Sequence, residues 1–343
     1  MARILHVTEG MGGGTSAAVV EFARSTPQPE HHLLFQRRSR GELVFRHDFA
    51  GCRDAGRRLL PQVRLAQALR AAVTRLRPQI VHLHSTWAGL VGRAVLPRGA
   101  GGPAVLYTPH CFGFERVVAG RLLQAAERVM ADRTDLAVCV SPHEQLLAAG
   151  LGLPTVLVPN TTRGRPQRSR PSATGDSVVT VGRIGPQKDP GFLLRVKALC
   201  GRRAAWTWIG AGDRMMEAGL RRAGVTVTGW LPPGEVRARL AGADVYLHTA
   251  AWESCPLPLL EAAAAGLPIV ARSIPALDLL GLDPSLGTAE AVAEELSAVL
   301  ATGRPTRPRL QQTFAAAHTP QAQVAALTAA YVSVLYPIAV GVG

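Results

Sequence analysis

Two stretches in the second half of this 343-residue chain combine side chains that can do chemistry. In Gly182-Arg183-Ile184-Gly185-Pro186-Gln187-Lys188-Asp189-Pro190, an arginine and a lysine flank a loop that follows the apolar run Ser177 to Val181. A planar guanidinium and a compact ammonium together suit a diphosphate, whose charge is spread over several oxygens. The plainer reading is two solvated bases. Arginine is abundant here, whereas Lys188 and Lys197 are the chain's lysines, so Lys188 carries the weight.

The second stretch, Trp252-Glu253-Ser254-Cys255-Pro256-Leu257-Pro258-Leu259-Leu260-Glu261, runs into an Ala-rich helix that Gly266 would end. Glu253 then sits before the helix and Glu261 about one turn inside it, so both carboxylates can face one cleft. The helix entry Ser254, Cys255, Pro256 and Leu257 would offer free amides and the positive end of the dipole to a phosphate. Carboxylates beside a phosphate make electrostatic sense if they accept hydrogen bonds from hydroxyls. A hydrolase acid/base pair is the rival reading, but it gives the basic loop no task. The plainest alternative is a capping glutamate followed by an exposed helix glutamate.

In the first half, Glu9-Gly10-Met11-Gly12-Gly13-Gly14-Thr15-Ser16 links a strand to a helix. Thr15 stands where a dinucleotide G-x-G-x-x-G fingerprint needs glycine, so Gly12, Gly13, Gly14 and Thr15 serve either an anion at a helix start or simply a tight turn. His82 and His84 alternate along a strand, where one reads as a satisfied core residue. His110, in Thr108-Pro109-His110-Cys111-Phe112-Gly113, ends a strand beside a turn and would face the cleft. No zinc-ligand spacing accompanies these histidines, and the chain has no D-x-D pair. The expectation is an anion site built from arginine, lysine and helix amides, with no metal and no cofactor.

The elements that must position these residues follow from the apolar runs. Arg3 to Val7, His31 to Phe35, Ile80 to Leu83, Ala104 to Tyr107, Leu136 to Val140 and Thr155 to Val158 are continuously apolar, as strands buried on both faces should be. Leu65, Leu69, Val73 and Leu76 mark a crossover helix. The polar segment 163–176 reads as a linker. A second series follows in Ser177 to Val181, Trp206 to Ile209, Val225 to Thr228, Asp244 to His248 and Pro268 to Ala271. After Thr319-Pro320, a stripe of Val324, Leu327, Tyr331, Val334 and Leu335 reads as a last helix. The expected organisation is α/β, with Rossmann-like domains over 1–162 and 177–317 facing across a cleft, and 318–343 packing back on the first.

Composition agrees: 47% hydrophobic and only 5% aromatic residues suit helices on parallel strands. The net charge of +14 admits nucleic acid, phosphorylated substrates or an anionic membrane. Scattered arginines without a binding module argue against nucleic acid. Arg53, Arg57, Arg58, Arg64 and Arg70 could meet lipid peripherally, or form an ordinary solvated face. Five dispersed cysteines give neither a disulfide framework nor a zinc site. With no signal-like segment, the expectation is a cytoplasmic protein, including the inner face of the membrane.

Taken together, HVTEGMGGGTSAAVVEFA, VHLHSTWAGLVGR, YTPHCFGF, VGRIGPQKDP and WESCPLPLLEAAAAGLPIVA resemble the GT-B glycosyltransferases of family 4. The resemblance spans nearly the whole chain. It implies retaining, metal-independent transfer of a sugar from a nucleotide diphosphate donor, with UDP the commonest, to a saccharide, lipid or small-molecule acceptor. It also implies roles: Arg183 and Lys188 on the diphosphate, Glu261 on ribose hydroxyls, and Glu253 by the donor sugar. His110 would contact that sugar from the other domain, and Gly12 to Gly14 would approach phosphate or acceptor. The favoured family mechanism is front-face, with no protein nucleophile. Cys255, Thr161 and the segment Ile274 to Asp278 depart from the family's usual residues, which leaves donor choice open. A sugar-nucleotide epimerase on the same scaffold is the alternative enzyme.

Overall fold

The computed structural model describes residues 1–10, 13–36, 49–56, 60–99, 101–115, 120–162, 176–304 and 308–336. The chain divides into two compact units, Met1–Asn160 with the C-terminal segment from Pro320, and Thr161–Thr319. Of the expected linker only Asp176 is described, and it opens a strand. Gly12, Arg57 and Arg58 lie outside the described residues.

In the first unit, β1 (Arg3–Thr8), β2 (Glu30–Phe35), β3 (Gly51–Asp54), β4 (Ile80–His84), β5 (Ala104–Thr108), β6 (Leu136–Cys139) and β7 (Thr155–Leu157) form a parallel sheet. Its order is β3-β2-β1-β4-β5-β6-β7. One face packs Leu5, Val7, Val81, Leu83 and Val105 against Leu65, Leu69 and Ala72 of the helix Pro61–Leu76. The other receives Val19, Val20 and Ala23 of the helix Gly13–Ser25 on Leu33 and Phe35. Burial on both faces explains the continuous apolar runs. β3 carries no such run because it is an edge strand, half-exposed and paired with β2.

The helix Pro320–Leu335 belongs to this first unit. Its buried residues are Gln323, Leu327, Ala330 and Tyr331, while Val324 of the expected stripe is exposed. The anchor is polar: Gln323 accepts from Ser25 Oγ and donates to the Pro159 carbonyl, each at 2.9 Å.

The second unit's parallel sheet comprises β8 (Asp176–Val181), β9 (Ala204–Ile209), β10 (Val225–Val227), β11 (Val245–His248) and β12 (Ile269–Ala271), in order β10-β9-β8-β11-β12. In both units the strand order reverses beside the first strand, between β1 and β4 and between β8 and β11. Open α/β sheets bind ligands at the carboxyl ends of the strands at such a reversal. No helix among the described residues is long and apolar enough to cross a membrane.

A buried ionic cluster ties the first unit's helices to its sheet. Arg93, in the helix Thr86–Val95, pairs with Glu127 of the helix Gly120–Val129, both side chains fully buried. Tyr107 Oη donates to the same carboxylate at 2.9 Å, and the Arg93 guanidinium lies 4.2 Å from the Tyr107 ring centre. Removing one partner of a buried pair strands the other charge. Glu127→Ala should therefore lower the unfolding free energy by about 3–5 kcal/mol in denaturant titrations. A loss below about 1 kcal/mol, typical of an exposed pair, would show that the cluster does not hold the unit.

Candidate functional site

At the reversal point of the second unit, β8 continues into Gly182–Asp189 and β11 into Thr249–Pro256. The two loops are joined directly: Ala251 N donates to the Gln187 carbonyl at 2.9 Å and Thr249 Oγ1 to the Lys188 carbonyl at 2.6 Å. Gln187 Nε2 donates to the Trp252 carbonyl at 3.2 Å. Asp189 caps the helix Pro190–Leu199 through Phe192 N, and it accepts from Arg272 at 2.9 Å. Glycine is required where backbones meet. A Cβ on Gly210 would lie 2.1 Å from the Gly182 carbonyl, and one on Gly182 would lie 2.8 Å from Lys188 Cε. The lysine stem thus lies across Gly182, which fixes the ammonium at the end of β8.

That ammonium forms an ion pair with Glu253 Oε1, the two side chains being 14% and 10% exposed. An ammonium has three N–H donors, so two remain for another anion. Arg183 is exposed, with no hydrogen bond or ion pair among the described residues. Glu261 lies on the fifth residue of the helix Leu257–Ala264. Burial raises its pKa, an effect that Arg237 opposes. Burial raises the Tyr246 hydroxyl pKa most, and the charges of both Glu253 and Glu261 add to this. His248, two residues along β11, is kept neutral first by burial and then by Lys188.

The helix Leu257–Ala264 begins at Pro256 with no side-chain cap. Pro258 has no N–H and Leu259 N donates to the Pro256 carbonyl at 3.1 Å, so the Leu257 amide is the first-turn donor left for an anion. Cys255 is buried with Sγ 3.7 Å from His318 Nδ1. Ser254 is buried as well, and Leu257 is half-buried. One edge therefore gathers an ammonium, a free guanidinium, the Leu257 amide and two carboxylates. This can hold a phosphate chain beside a polyhydroxyl group.

In the first unit, Gly13 and Gly14 open the helix Gly13–Ser25 and are exposed, and Thr15 is half-buried. A Cβ on either glycine would meet nothing within 4 Å, so the first turn is open to close approach. His110 lies two residues past β5. It and Cys111 both adopt the left-handed region, with φ of 51° and 83°. Such strain persists only where the surroundings over-determine it. Here Glu144 accepts from Cys111 N at 2.8 Å and from Val140 N at 2.8 Å, while Glu115 accepts from Phe112 N at 3.2 Å. Burial lowers the His110 pKa to about 3.

His110 is not alone. His6, His82 and His84 are buried, each with a ring nitrogen within 4.8 Å of the others. That spacing could hold a metal, but every one of the six nitrogens is already engaged. His6 bonds His31 and His84, His84 also bonds His110, and His82 bonds Thr108 Oγ1 and Tyr331 Oη. An ion taking one nitrogen from each ring would have to break at least two of these bonds. The trio is accounted for as a hydrogen-bonded layer.

Comparison with known proteins now bears on this arrangement. Residues 12–162 match the family model described as Glycosyltransferase Family 4, and residues 175–302 the model described as Glycosyl transferases group 1. The chain belongs to glycosyltransferase family 4. This glycosyltransferase is 24% identical over 294 residues to a Klebsiella pneumoniae protein described as an uncharacterized 41.2 kDa protein in the cps region, covering 80% of this chain and 82% of that one. It is 25% identical over 228 residues to the Escherichia coli UDP-Gal:alpha-D-GlcNAc-diphosphoundecaprenol alpha-1,3-galactosyltransferase, covering 57% and 58% of the two chains. Its fold matches that of Anabaena HepE, solved in complex with UDP-glucose, with a TM-score of 0.80 over 97% of this chain and 100% of that one, at 15% identity. The architecture is GT-B.

Sequence reading of the glycosyltransferase did not single out Tyr246, His248, Thr249 or Gln187. Their signal was the alternation of Tyr246 and His248 at the end of a strand, the same signal that marked His82 and His84. Nor did it foresee the Lys188–Glu253 pair, having assigned those two residues to different parts of a ligand.

The buried histidines make acid stability a direct check. His6, His31, His82, His84, His110 and His248 all have lowered pKa values, with burial the largest cause for each. Below about pH 6.5 the unfolded chain therefore binds more protons than the folded one, and stability falls as pH drops. Each ring contributes up to about 1.4 kcal/mol per pH unit. Urea midpoints should decline steeply between about pH 6.5 and pH 5, and a flat profile there would contradict neutral buried rings.

Proposed function

We propose that this glycosyltransferase takes its sugar from a UDP-type nucleotide diphosphate donor, without a metal and with retention of anomeric configuration, and passes it to a saccharide, lipid-linked or small-molecule acceptor. The observation that carries the proposal is the gathering of Lys188, Glu253, Glu261 and the uncapped start of the helix Leu257–Ala264 at one strand-order reversal. Lys188, Arg183 and the Leu257 amide neutralise the diphosphate, the group whose charge grows as the sugar departs. Glu261 accepts from ribose hydroxyls and Glu253, held by Lys188, from the donor sugar. His110 contacts a sugar hydroxyl, and Gly13, Gly14 and Thr15 admit phosphate or acceptor at an open helix start. Positive groups and the Leu257 amide take the part that a divalent cation plays elsewhere.

The UDP preference is supported by the named donor of the Escherichia coli relative and by the ligand of HepE. The lipid-linked acceptor in that relative's name supports the acceptor class. Retention rests on the family resemblance of the motifs. A sugar-nucleotide epimerase is the alternative, and it needs no acceptor. Formation of an isomeric sugar nucleotide from the donor alone would favour it.

Thermal denaturation against a panel of nucleotide sugars tests the donor class. A ligand at 100 times its dissociation constant should add about 2.7 kcal/mol of stability. Lys188→Ala should weaken UDP binding at least roughly tenfold while leaving uridine binding nearly unchanged, because the lost contact is a charge-assisted bond to phosphate alone. Equal weakening of both ligands would overturn the role given to Lys188.

A further inference from the structure

Four histidines form a diagonal across one face of the first sheet. In the strand order β2-β1-β4-β5, His31 pairs with Ile4, His84 pairs with Thr8, and His84 also pairs with Thr108. Measured along β1, His31, His6 and His84 therefore stand at the levels of residues 4, 6 and 8, and His110 lies two residues past Thr108. Each step moves one strand sideways and two residues toward the carboxyl edge, which keeps the strand residues His31, His6 and His84 on the same face, and His110, just past β5, joins the row through its Nε2. The rings meet nitrogen to nitrogen. His31 Nδ1 is 2.9 Å from His6 Nε2, His6 Nδ1 is 3.0 Å from His84 Nε2, and His84 Nδ1 is 3.0 Å from His110 Nε2.

The far end of this chain is fixed by a group that can only accept. His31 Nε2 lies 2.6 Å from the Thr26 carbonyl, so it carries the proton. Thr26 Oγ1 gives its own hydrogen to the Phe22 carbonyl and is likewise an acceptor toward His31. A neutral imidazole has one N–H and one lone pair. With Nε2 protonated, His31 Nδ1 must accept, and His6 Nε2 must donate. The same choice is then forced on His84 and on His110, since any reversal would set two lone pairs or two N–H groups against each other within a buried layer. Burial keeps these rings neutral, with lowered pKa values throughout. The Phe22 ring, 6.0 Å from His84 and 6.3 Å from His110, covers the end of the row.

We propose that His31, His6 and His84 are positioning residues that carry the polarity of the Thr26 carbonyl to His110, fixing it as the Nε2–H tautomer whose Nδ1 accepts a hydrogen bond from a sugar hydroxyl. The hydroxyl half of this statement rests on the contact assigned to His110 above; the tautomer half does not. A neutral acceptor at this position holds an O–H group without presenting a charge to the reaction.

Two-bond proton–nitrogen correlation spectra of the full-length protein labelled with nitrogen-15 histidine test the row directly, with no ligand added. The expected result is the Nε2–H form at His31, His6, His84 and His110. A proton on Nδ1 of neutral His110 would overturn the proposal while leaving a sugar contact by that residue possible. With UDP-glucose as probe, His6→Leu should give His110 a mixture of tautomers and lower kcat by roughly tenfold, with KM changed by less than about twofold. A single unchanged tautomer and unchanged kcat in folded His6→Leu would overturn the relay. Should that variant not fold, the wild-type spectrum still decides. His110→Ala with unaltered kcat and KM, beside the expected wild-type tautomers, would remove the sugar contact itself.

Discussion

In a parallel sheet covered on both faces, a polar side chain that points inward must find its partner within the same layer, because water is excluded. This constraint shapes both units. In the first, it is met by Arg93, Glu127 and Tyr107 on one side of the sheet and by the histidine row on the other. An arginine without Glu127, or a histidine without the next ring, would be a desolvated donor facing hydrocarbon. Polar chemistry that must meet a substrate is therefore pushed to the carboxyl ends of the strands, where the layer stops and loops begin.

The strand order decides which loops meet there. β8 and β11 have 63 residues between their nearest ends, Val181 and Val245, yet they are neighbours in the sheet, so Lys188 and Glu253 face each other across one reversal point. Their ion pair orients both groups before any ligand is involved, which lowers the ordering cost of binding. The loop glycines belong to the same economy of space. With a side chain on Gly210 or Gly212, the backbones of β8 and β9 could not continue side by side past their last regular pair, and one on Gly182 would displace the lysine stem.

Much of this was legible in the residues. Continuous Val, Ile and Leu runs announced eleven strands, and the two charged loops stood out because charge is scarce at the ends of such runs. β3 stayed hidden since Gly51–Asp54 is short, polar and at an edge, where no burial imprints a pattern. The ionic cluster stayed hidden too, because Arg93 and Glu127 read as ordinary helix charges until the packing of two helices on Tyr107 is known. The histidine row required more still. His82 and His84 revealed a common face through their spacing, but His31, His6 and His110 join them only through sheet order and register, which no local pattern encodes. Tautomers are one step further away, fixed by a single carbonyl at the end of the row.

The membership of the Pro320–Leu335 helix in the first unit has a consequence for biogenesis. Strands β1 to β7 all precede residue 160, whereas Tyr331, whose hydroxyl meets His82, is among the last residues described. A ribosome adding roughly 5–20 residues per second needs on the order of ten seconds to travel from one to the other. Throughout that interval the second unit emerges and can collapse first, while its predecessor keeps an uncovered patch beside the histidines. The earlier-made half of the molecule is thus the later to be finished, and translation pauses between these segments would prolong the exposure rather than relieve it.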